Sequence, residues 1–540
     1  IPCHRMKGST AAFVDVYTQG AEELTGWNPD TVRASVFIAT DPKKGRCLYA
    51  RQTVQPGSIV FVEDPLVLSL PEEDPELWDA LQQIERTSSL RFPAPWHLAA
   101  LQCLLHSTDA DLAVCLDKFV PECGALQCPD IFRVLGGLEE MGYDFTRPVD
   151  PHQYHHLLQV WRYNSFGHHT DNNGMVMYDT ASIMAHSCDA SACWHFGHSD
   201  QFVCRARRII RAGEEITISY LSDDDLAKAT SVRQGLLGAW WFTCTCPRCT
   251  SPDKARGLVC PACCGTIIPG ADGGPTPCQA CDTVPDAVDW NQLTQSEAKA
   301  GALLASATSR TPVSQLLEVQ AEVGRWAALG RHWIGFWVDG LLRRAYARAK
   351  RWPLAAWFAE RRVRYLELVL PRASPLLAWA YVDVAEALRE ASRDERAQEG
   401  AVGPADRESD PVVGGRYFHR AYSMLVICCG EEHLFSRSVL QRWAGDADPG
   451  ETGWTMPAVG ALGGARQRRV ASPQPSSPAR RVEEHTRADD EEHKGTGVLP
   501  FSPGPRGPVA GDRDVARALL RTAYVHGCLT VQYASFWDQW

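Results

Sequence analysis

Cys244, Cys246, Cys249, Cys260, Cys263, Cys264, Cys278 and Cys281 all fall within one short stretch of the chain. Cys244-Thr245-Cys246-Pro247-Arg248-Cys249 is a C-x-C-x2-C motif. Three thiols so close cannot all bond to one another, but they can wrap one face of a tetrahedral zinc, so a fourth ligand must come from elsewhere. Cys260-x2-Cys263 and Cys278-x2-Cys281 have zinc-ribbon spacing and supply four ligands by themselves. Cys264 falls outside that spacing. The competing reading is a set of ordinary buried thiols. As zinc sites, both are expected to be structural, because four thiolates leave no open position for water.

The chain holds 20 cysteines in all, yet a secreted disulfide scaffold is usually short and Cys-dense throughout. Clustered pairs in a 540-residue chain suit thiolate ligation in a reducing compartment, so the expected location is the cytoplasm, the nucleus or both. That length holds roughly three domains at ~150 residues each. A net charge of −11 argues against general nucleic-acid binding, which needs surplus Lys and Arg. No run of ~18 apolar residues is present, so no membrane span is expected. Ile1 to Thr10 lacks the apolar core of a secretory signal, and the chain opens on Ile1 rather than Met, as a fragment would.

Residues 1–33 read as an N-terminal segment. Between 34 and 70, Ser35-Val36-Phe37-Ile38, Leu48-Tyr49-Ala50 and Ile59-Val60-Phe61-Val62 are β-type runs separated by turn signals at Asp41-Pro42 and Gln55-Pro56-Gly57-Ser58. A helical insertion is expected over 71–154, where apolar residues recur at three and four. Strand character returns at Phe202-Val203-Cys204 and Glu215 to Tyr220, within 155–225. The cysteine clusters occupy 226–290. Residues 291–440 read as an antiparallel helix array, tetratricopeptide-like but without a clean repeat of roughly 34 residues, interrupted by a polar loop at 391–412. Residues 441–512, rich in Pro, Gly, Ser, Arg and Glu, read as a disordered linker, and 513–540 as a C-terminal helix.

Several segments, taken in order, resemble the SET domain as it occurs in the SMYD (SET and MYND) family. Gly45-Arg46-Cys47-Leu48 followed by Pro56-Gly57 is similar to its opening G-x-G-L strand and turn. Asn164-Ser165-Phe166 matches its N-S-F segment, and Ala185-His186-Ser187-Cys188 stands where the family has N-H-S-C. Gly213-Glu214-Glu215-Ile216-Thr217-Ile218-Ser219-Tyr220 is similar to its G-E-E-I-x-I-S-Y strand. Arg233, Phe242 and the C-x-C-x2-C follow. Gly430-Glu431-Glu432-His433 resembles a helix end in the family's C-terminal domain.

The resemblance implies an α+β fold: a SET-domain β-fold with helical insertion, a zinc-bound post-SET segment and an all-α tetratricopeptide-like C-terminal domain. It implies that Cys188 is the fourth ligand of the Cys244, Cys246, Cys249 site, that S-adenosylmethionine is the cofactor, and that a lysine side chain of a protein substrate enters from the opposite face. Tyr220 would orient the amine; Lys44, Gly45, Arg46, Asn164 and His186 would hold the cofactor, and Phe242 would cover its adenine. Against each stands a plainer reading, such as a strand-end tyrosine, a turn asparagine or a core phenylalanine.

Four departures bear on activity. Cys47 replaces the second glycine of the opening motif, Ala185 the asparagine of N-H-S-C, Ala190-Ser191 the family's P-N, and Trp240 the tyrosine before the post-SET cysteines. No MYND finger is expected, since Cys103, Cys115, Cys123 and Cys128 form no C-x2-C pairs and read as helix-packing thiols. His152, His155, His156, His168 and His169 read as a partly exposed helix face, with His152 and His156 one turn apart as the conceivable metal pair. Asp223-Asp224-Asp225 reads as a solvated turn. Arg466 to Arg469 and Arg480-Arg481 form short basic patches in the expected disordered tail. Two functions follow: a protein-lysine methyltransferase, or a catalytically silent SET scaffold whose helical half binds a protein partner.

Overall fold

The computed structural model describes residues 26–444 apart from 120, 122–127, 170, 309, 371–372 and 399–413. Residues 1–25, the greater part of the 441–512 linker, the 513–540 helix and Cys123 lie outside the described residues.

The first hairpin pairs β1 (Val36–Asp41) with β2 (Gly45–Ala50) antiparallel, from Val36 opposite Ala50 to Asp41 opposite Gly45. Its turn is built locally: Asp41 Oδ1 accepts from the amides of Lys43 and Lys44 at 2.8 and 2.9 Å, and Gly45 takes φ +77°. β3 (Ile59–Glu63), β8 (Ala192–Phe196) and β9 (Phe202–Ala206) form one antiparallel sheet with β9 central. β4 (Val67–Ser69), β5 (Ser165–Gly167) and β6 (Met175–Met177) form a second, with β6 central. Between them packs an aromatic core in which Trp194 stacks on Phe202 at 5.0 Å and Phe166 meets both edge-on at 5.2 Å.

The run Glu215 to Tyr220 is only briefly a strand. Glu215 bridges to Tyr49 of β2, after which β10 (Thr217–Ile218) switches partner and pairs in parallel with β7 (Ala185–His186). The change of partner, rather than any weakness in the β-forming sequence, limits its length.

Five helices, α2 (Pro75–Thr87), α3 (Ala94–His106), α4 (Asp109–Lys118), α5 (Asp130–Glu140) and α6 (Pro151–Asn164), form the insertion. Asp74, Thr108 and Asp150 cap three of them, the first and last with Pro at the opening turn. α2 turns Leu77, Leu81 and Ile84 inward at helical spacing. Cys103, Cys115 and Cys128 are buried among these apolar side chains.

After the cysteines, β11 (Arg256–Val259) pairs with β12 (Thr266–Ile267) on one side and β13 (Ala327–His332) on the other. β13 lies inside the stretch read as helical. It leaves the end of α10 (Val313–Trp326), and its last residue, His332, is buried with Nε2 3.2 Å from Glu297, whose carboxylate also accepts from Arg256 Nε and Nη2. Ala-rich sequence conceals it, because pairing to β11 decides the conformation.

The remaining helices, α11 (Trp333–Arg348), α12 (Trp352–Val369), α13 (Pro375–Gln398), α14 (Gly415–Cys429) and α15 (Leu434–Ala444), pack in sequence. α13 extends through part of the segment read as a polar loop. Asp223-Asp224-Asp225 is not a solvated turn: it forms a short helix capped by Ser222. Asp223 accepts from Ser374 Oγ at 2.8 Å and Leu376 N at 3.2 Å, placing a carboxylate at the start of α13. Among the described residues no helix is long and apolar enough to cross a membrane.

The β-core and the helix array interlock around Arg205. Its Nε donates to His195 Nε2 at 3.2 Å, and His195 and His433 pack ring to ring at 5.0 Å. Gly430, φ +91°, ends α14 there; a Cβ at this position would lie 2.6 Å from Arg205 Nη2. Burial holds His195 well below the usual histidine range and pushes His433 down to about 4, with Arg205 opposing a second positive charge. Unfolded histidines take up protons at ~6.5, so stability is full above that pH and lost as pH falls toward 4. Thermal unfolding at stepped pH should show this loss, on the order of 2 kcal/mol for His433, and His433→Leu should reduce the slope between pH 6.5 and 4.

Candidate functional site

A cavity of about 110 Å³ opens between the β-core and the segment preceding the first cysteine cluster. Phe166, Trp194, Phe196, Tyr220 and Trp240 wall it, with Asn164 at the end of α6 and His168 and His169 just beyond β5. Tyr220 is fixed at both ends. Its backbone N–H donates to His186 Nδ1 at 2.9 Å, and its hydroxyl donates to the Met184 carbonyl at 2.7 Å. The phenol's one proton is therefore engaged, and its oxygen is left as an acceptor. Burial pushes the phenol well above its usual range, with Cys47 and Glu215 adding to the effect. Tyr220, His186, Trp240 and Phe242 form one aromatic group, with ring centroids 5.3 to 6.2 Å apart in the Tyr220 pairs.

The remaining singled-out residues frame this group. Asn164 lines the cavity, donates its side-chain amide to Val160 O at 2.8 Å, and accepts at its carbonyl from Ser182 Oγ at 2.8 Å. Lys44 is ion-paired to Glu215 at 2.6 Å, and Arg46 donates to the carbonyl of Lys118. Gly45 stands at the hairpin turn beside open space.

Cys188, Cys244, Cys246 and Cys249 converge, their sulfurs all within 4.8 Å of one another, as do Cys260, Cys263, Cys278 and Cys281. Sulfur separations of 3.5 Å (Cys249 to Cys188), 3.7 Å (Cys260 to Cys281) and 3.6 Å (Cys263 to Cys278) are far from a disulfide. They approach the edge of a tetrahedron with sulfurs ~2.3 Å from its centre, about 3.8 Å. Arg233, 1% exposed, directs Nη2 at Cys249 Sγ at 3.6 Å. In the second group Cys263 and Cys278 accept the amides of Gly265 and Ala280 at 3.4 Å each. Cys264 takes φ +61° and stays outside the group. Both clusters fit closed, structural metal sites.

Residues 45–221 match the SET domain. This chain carries a SET domain. Over 86 residues it is 38% identical to "Histone-lysine N-methyltransferase SMYD3" of Mus musculus, covering 16% of this chain and 19% of that protein. Over 101 residues it is 33% identical to "SET domain-containing protein SmydA-8, isoform B" of Drosophila melanogaster, covering 17% and 22%. The matched stretch thus spans about a fifth of the length of these relatives. The chain is related to the SMYD methyltransferases over that part alone. The solved "SET domain of LSMT bound to Lysine and AdoHcy" aligns over 81% of this chain and 91% of its own at 14% identity. Its TM-score of 0.28 is too low to carry a residue assignment.

Within the SET domain the four departures have defined consequences. Cys47 lies in regular β2, with only Gly45 in the left-handed region, so the loss of the second glycine strains nothing. It buries a thiol pushed up to about 11 by desolvation and the nearby Glu215. Ser191 replaces a side-chain amide, and its hydroxyl accepts from Thr217 N at 2.9 Å, tying down β10. Trp240 packs on Tyr220 at 5.6 Å. Ala185 offers a methyl group and no side-chain amide before His186.

The sequence reading did not single out Met184, whose carbonyl accepts the Tyr220 proton, or the Trp194 and Phe196 walls. A carbonyl acceptor carries no signature. Trp194 and Phe196 alternate along β8 only once its register is known. The histidines that converge with a carboxylate are His168 and His169 with Asp200, not His152 and His156.

Gly265 offers a direct test of the second cluster, because a Cβ there would lie 2.8 Å from Cys278 Sγ and 3.1 Å from Cys263 Sγ. Gly265→Ala should lower metal affinity at that cluster at least about tenfold while leaving the Cys188 cluster loaded. Chelator competition monitored with a zinc indicator checks this.

Proposed function

We propose that the protein transfers a methyl group from S-adenosylmethionine to a lysine side chain of a protein substrate, with both cysteine clusters holding structural zinc. The supporting observation is the Tyr220 phenol in an aromatic-walled cavity, its proton donated to Met184 and its oxygen left to accept. Bound cofactor supplies an electrophilic methyl group on a positively charged sulfur. The remaining task is alignment, in which holding two reactants in line lowers the barrier.

Free lysine has a pKa of ~10.4 and its ammonium has no lone pair for attack. Entry into the cavity beside the aromatic walls of Phe166, Trp194, Tyr220 and Trp240 strips water from the amine and disfavours the charged form, so the proton leaves to water at the mouth. The Tyr220 oxygen then accepts an N–H of the neutral amine and fixes the direction of its lone pair. The Gly45 hairpin, Asn164 and His186 would hold the cofactor, with Phe242 against its adenine. Space beside Gly45 and the His186–Tyr220–Phe242 aromatic group fit that assignment.

A second reading is favoured by one observation. The hairpin's Lys44 is paired to Glu215 beside the buried Cys47 thiol, so this corner is already filled with internal contacts. A silent SET scaffold would then present the helix array to a protein partner, with Trp357 46% exposed on α12. The cytoplasm or nucleus is the proposed location under either reading.

Calorimetric titration of S-adenosylmethionine into zinc-loaded protein separates them, with micromolar binding expected. A screen of lysine peptides should then yield methyl transfer that Tyr220→Phe slows about 10–100-fold without changing cofactor affinity. A folded, zinc-loaded sample that binds no cofactor sinks the enzymatic reading.

A further inference from the structure

Outside the two cysteine clusters, His168 Nε2 lies 3.0 Å and His169 Nδ1 lies 3.4 Å from the same oxygen, Asp200 Oδ1. The three ligand atoms all lie within 4.8 Å of one another. Ligands ~2.0–2.1 Å from a tetrahedral ion sit about 3.3 Å apart, so these separations approximate edges of one coordination polyhedron.

The groups are held in place from several directions. The His169 ring packs against Phe196 at 4.6 Å and against His168 at 4.7 Å. Gly174 closes on His168 from behind, where a Cβ would lie 2.9 Å from the histidine's own Cβ. Asp200 is presented by two consecutive left-handed residues, Ser199 at φ 52° and Asp200 at φ 62°. Non-glycine residues adopt that conformation at a cost, and it persists where the surroundings impose it. Tyr178 Oη pins the Asp200 carbonyl at 2.5 Å.

From this geometry we infer a third metal site, in which His168, His169 and Asp200 bind one divalent cation of the zinc class on the wall of the Tyr220 cavity. It differs in kind from the thiolate clusters. Three protein ligands of nitrogen and oxygen leave a fourth position open, as in exchangeable rather than structural sites. Asp200 supplies the negative charge, and the two imidazoles supply the nitrogen donors.

His168 sets the affinity. Its Nδ1 now accepts the Asp171 amide at 3.2 Å, which places the ring proton on Nε2, directed at Asp200. On metal binding Nε2 gives its lone pair to the cation, the proton moves to Nδ1, and the Asp171 contact opens. No proton is lost overall. That exchange makes the site weaker than the closed cysteine clusters and easier to empty.

The test is titration of cobalt(II) into full-length protein whose cysteine clusters are already zinc-loaded. Wild type should take up one further cobalt, with a visible spectrum lacking thiolate-to-cobalt charge transfer. Asp200→Asn and His169→Gln should each weaken that uptake at least about tenfold with zinc content unchanged. Because wild type is itself read out, a variant that fails to fold leaves the test intact. Absence of further uptake by wild type overturns the inference, as does equal uptake by folded, zinc-loaded variants. Cofactor binding is measured separately, so either result stands apart from the methyl-transfer reading.

Discussion

Cys188 sits where three parts of the molecule meet, and the convergence of Cys244, Cys246 and Cys249 on it controls much else. It lies two residues beyond His186, whose ring accepts the Tyr220 amide, so any shift of the cluster moves the residue that holds the candidate catalytic tyrosine. Arg248, between two of the ligands, donates to the Cys188 carbonyl at 3.3 Å and to Leu226 O at 2.6 Å. Tyr365 on α12 donates to the neighbouring Ala227 carbonyl at 2.5 Å. One ligand group is thereby linked through hydrogen bonds to the β-core and to the short Asp223–Leu226 helix, whose end is bonded in turn to the helix array. Four sulfurs this close repel as thiolates unless a cation sits between them, so the arrangement is most stable when metal is bound.

The same junction explains buried charge that would otherwise be costly. Asp223 caps α13, Arg207 donates to the Ala373 carbonyl at 2.8 Å, and Arg233 reaches both Thr230 and Cys249. Each is a charged group that makes at least one hydrogen bond across an inter-element boundary. A buried charge left without a partner is more harmful than a paired one is helpful. These residues therefore specify one packing of array against core more than they add to its stability.

Much of this was legible in the sequence because it rests on local chemistry. Turn residues placed the β1–β2 hairpin, and thiol spacing gathered the second cysteine cluster, leaving out Cys264, and three members of the first, whose fourth, Cys188, came only from the family resemblance. The ordered motifs around Asn164, His186 and Tyr220 fell on one SET domain. What escaped depends on pairing at a distance. β13 is Ala-rich and becomes a strand only by meeting β11. The aspartate run reads as solvated until α13 supplies the amides it caps. His168 and His169 are adjacent in sequence, but their carboxylate partner lies thirty-two residues away on a strained turn that no periodicity announces. Met184 acts through its carbonyl, which every residue type possesses.

The departures from the SMYD motifs act unequally once placed. Cys47 and Ser191 fit their surroundings: the first occupies a regular strand position, the second closes a hydrogen bond to β10. Trp240 keeps an aromatic wall beside Tyr220 and gives up only a hydroxyl. Ala185 remains, where a side-chain amide able to bond a ligand is absent. Loss of one such hydrogen bond to a buried polar partner costs about 1–3 kcal/mol, or roughly 5–150-fold in affinity. A deficit of that size would weaken binding of the proposed cofactor without abolishing it, whereas three independent losses would abolish it. The geometry thus narrows the weight of the four departures to Ala185, with the Lys44–Glu215 ion pair at the hairpin a separate obstacle of its own.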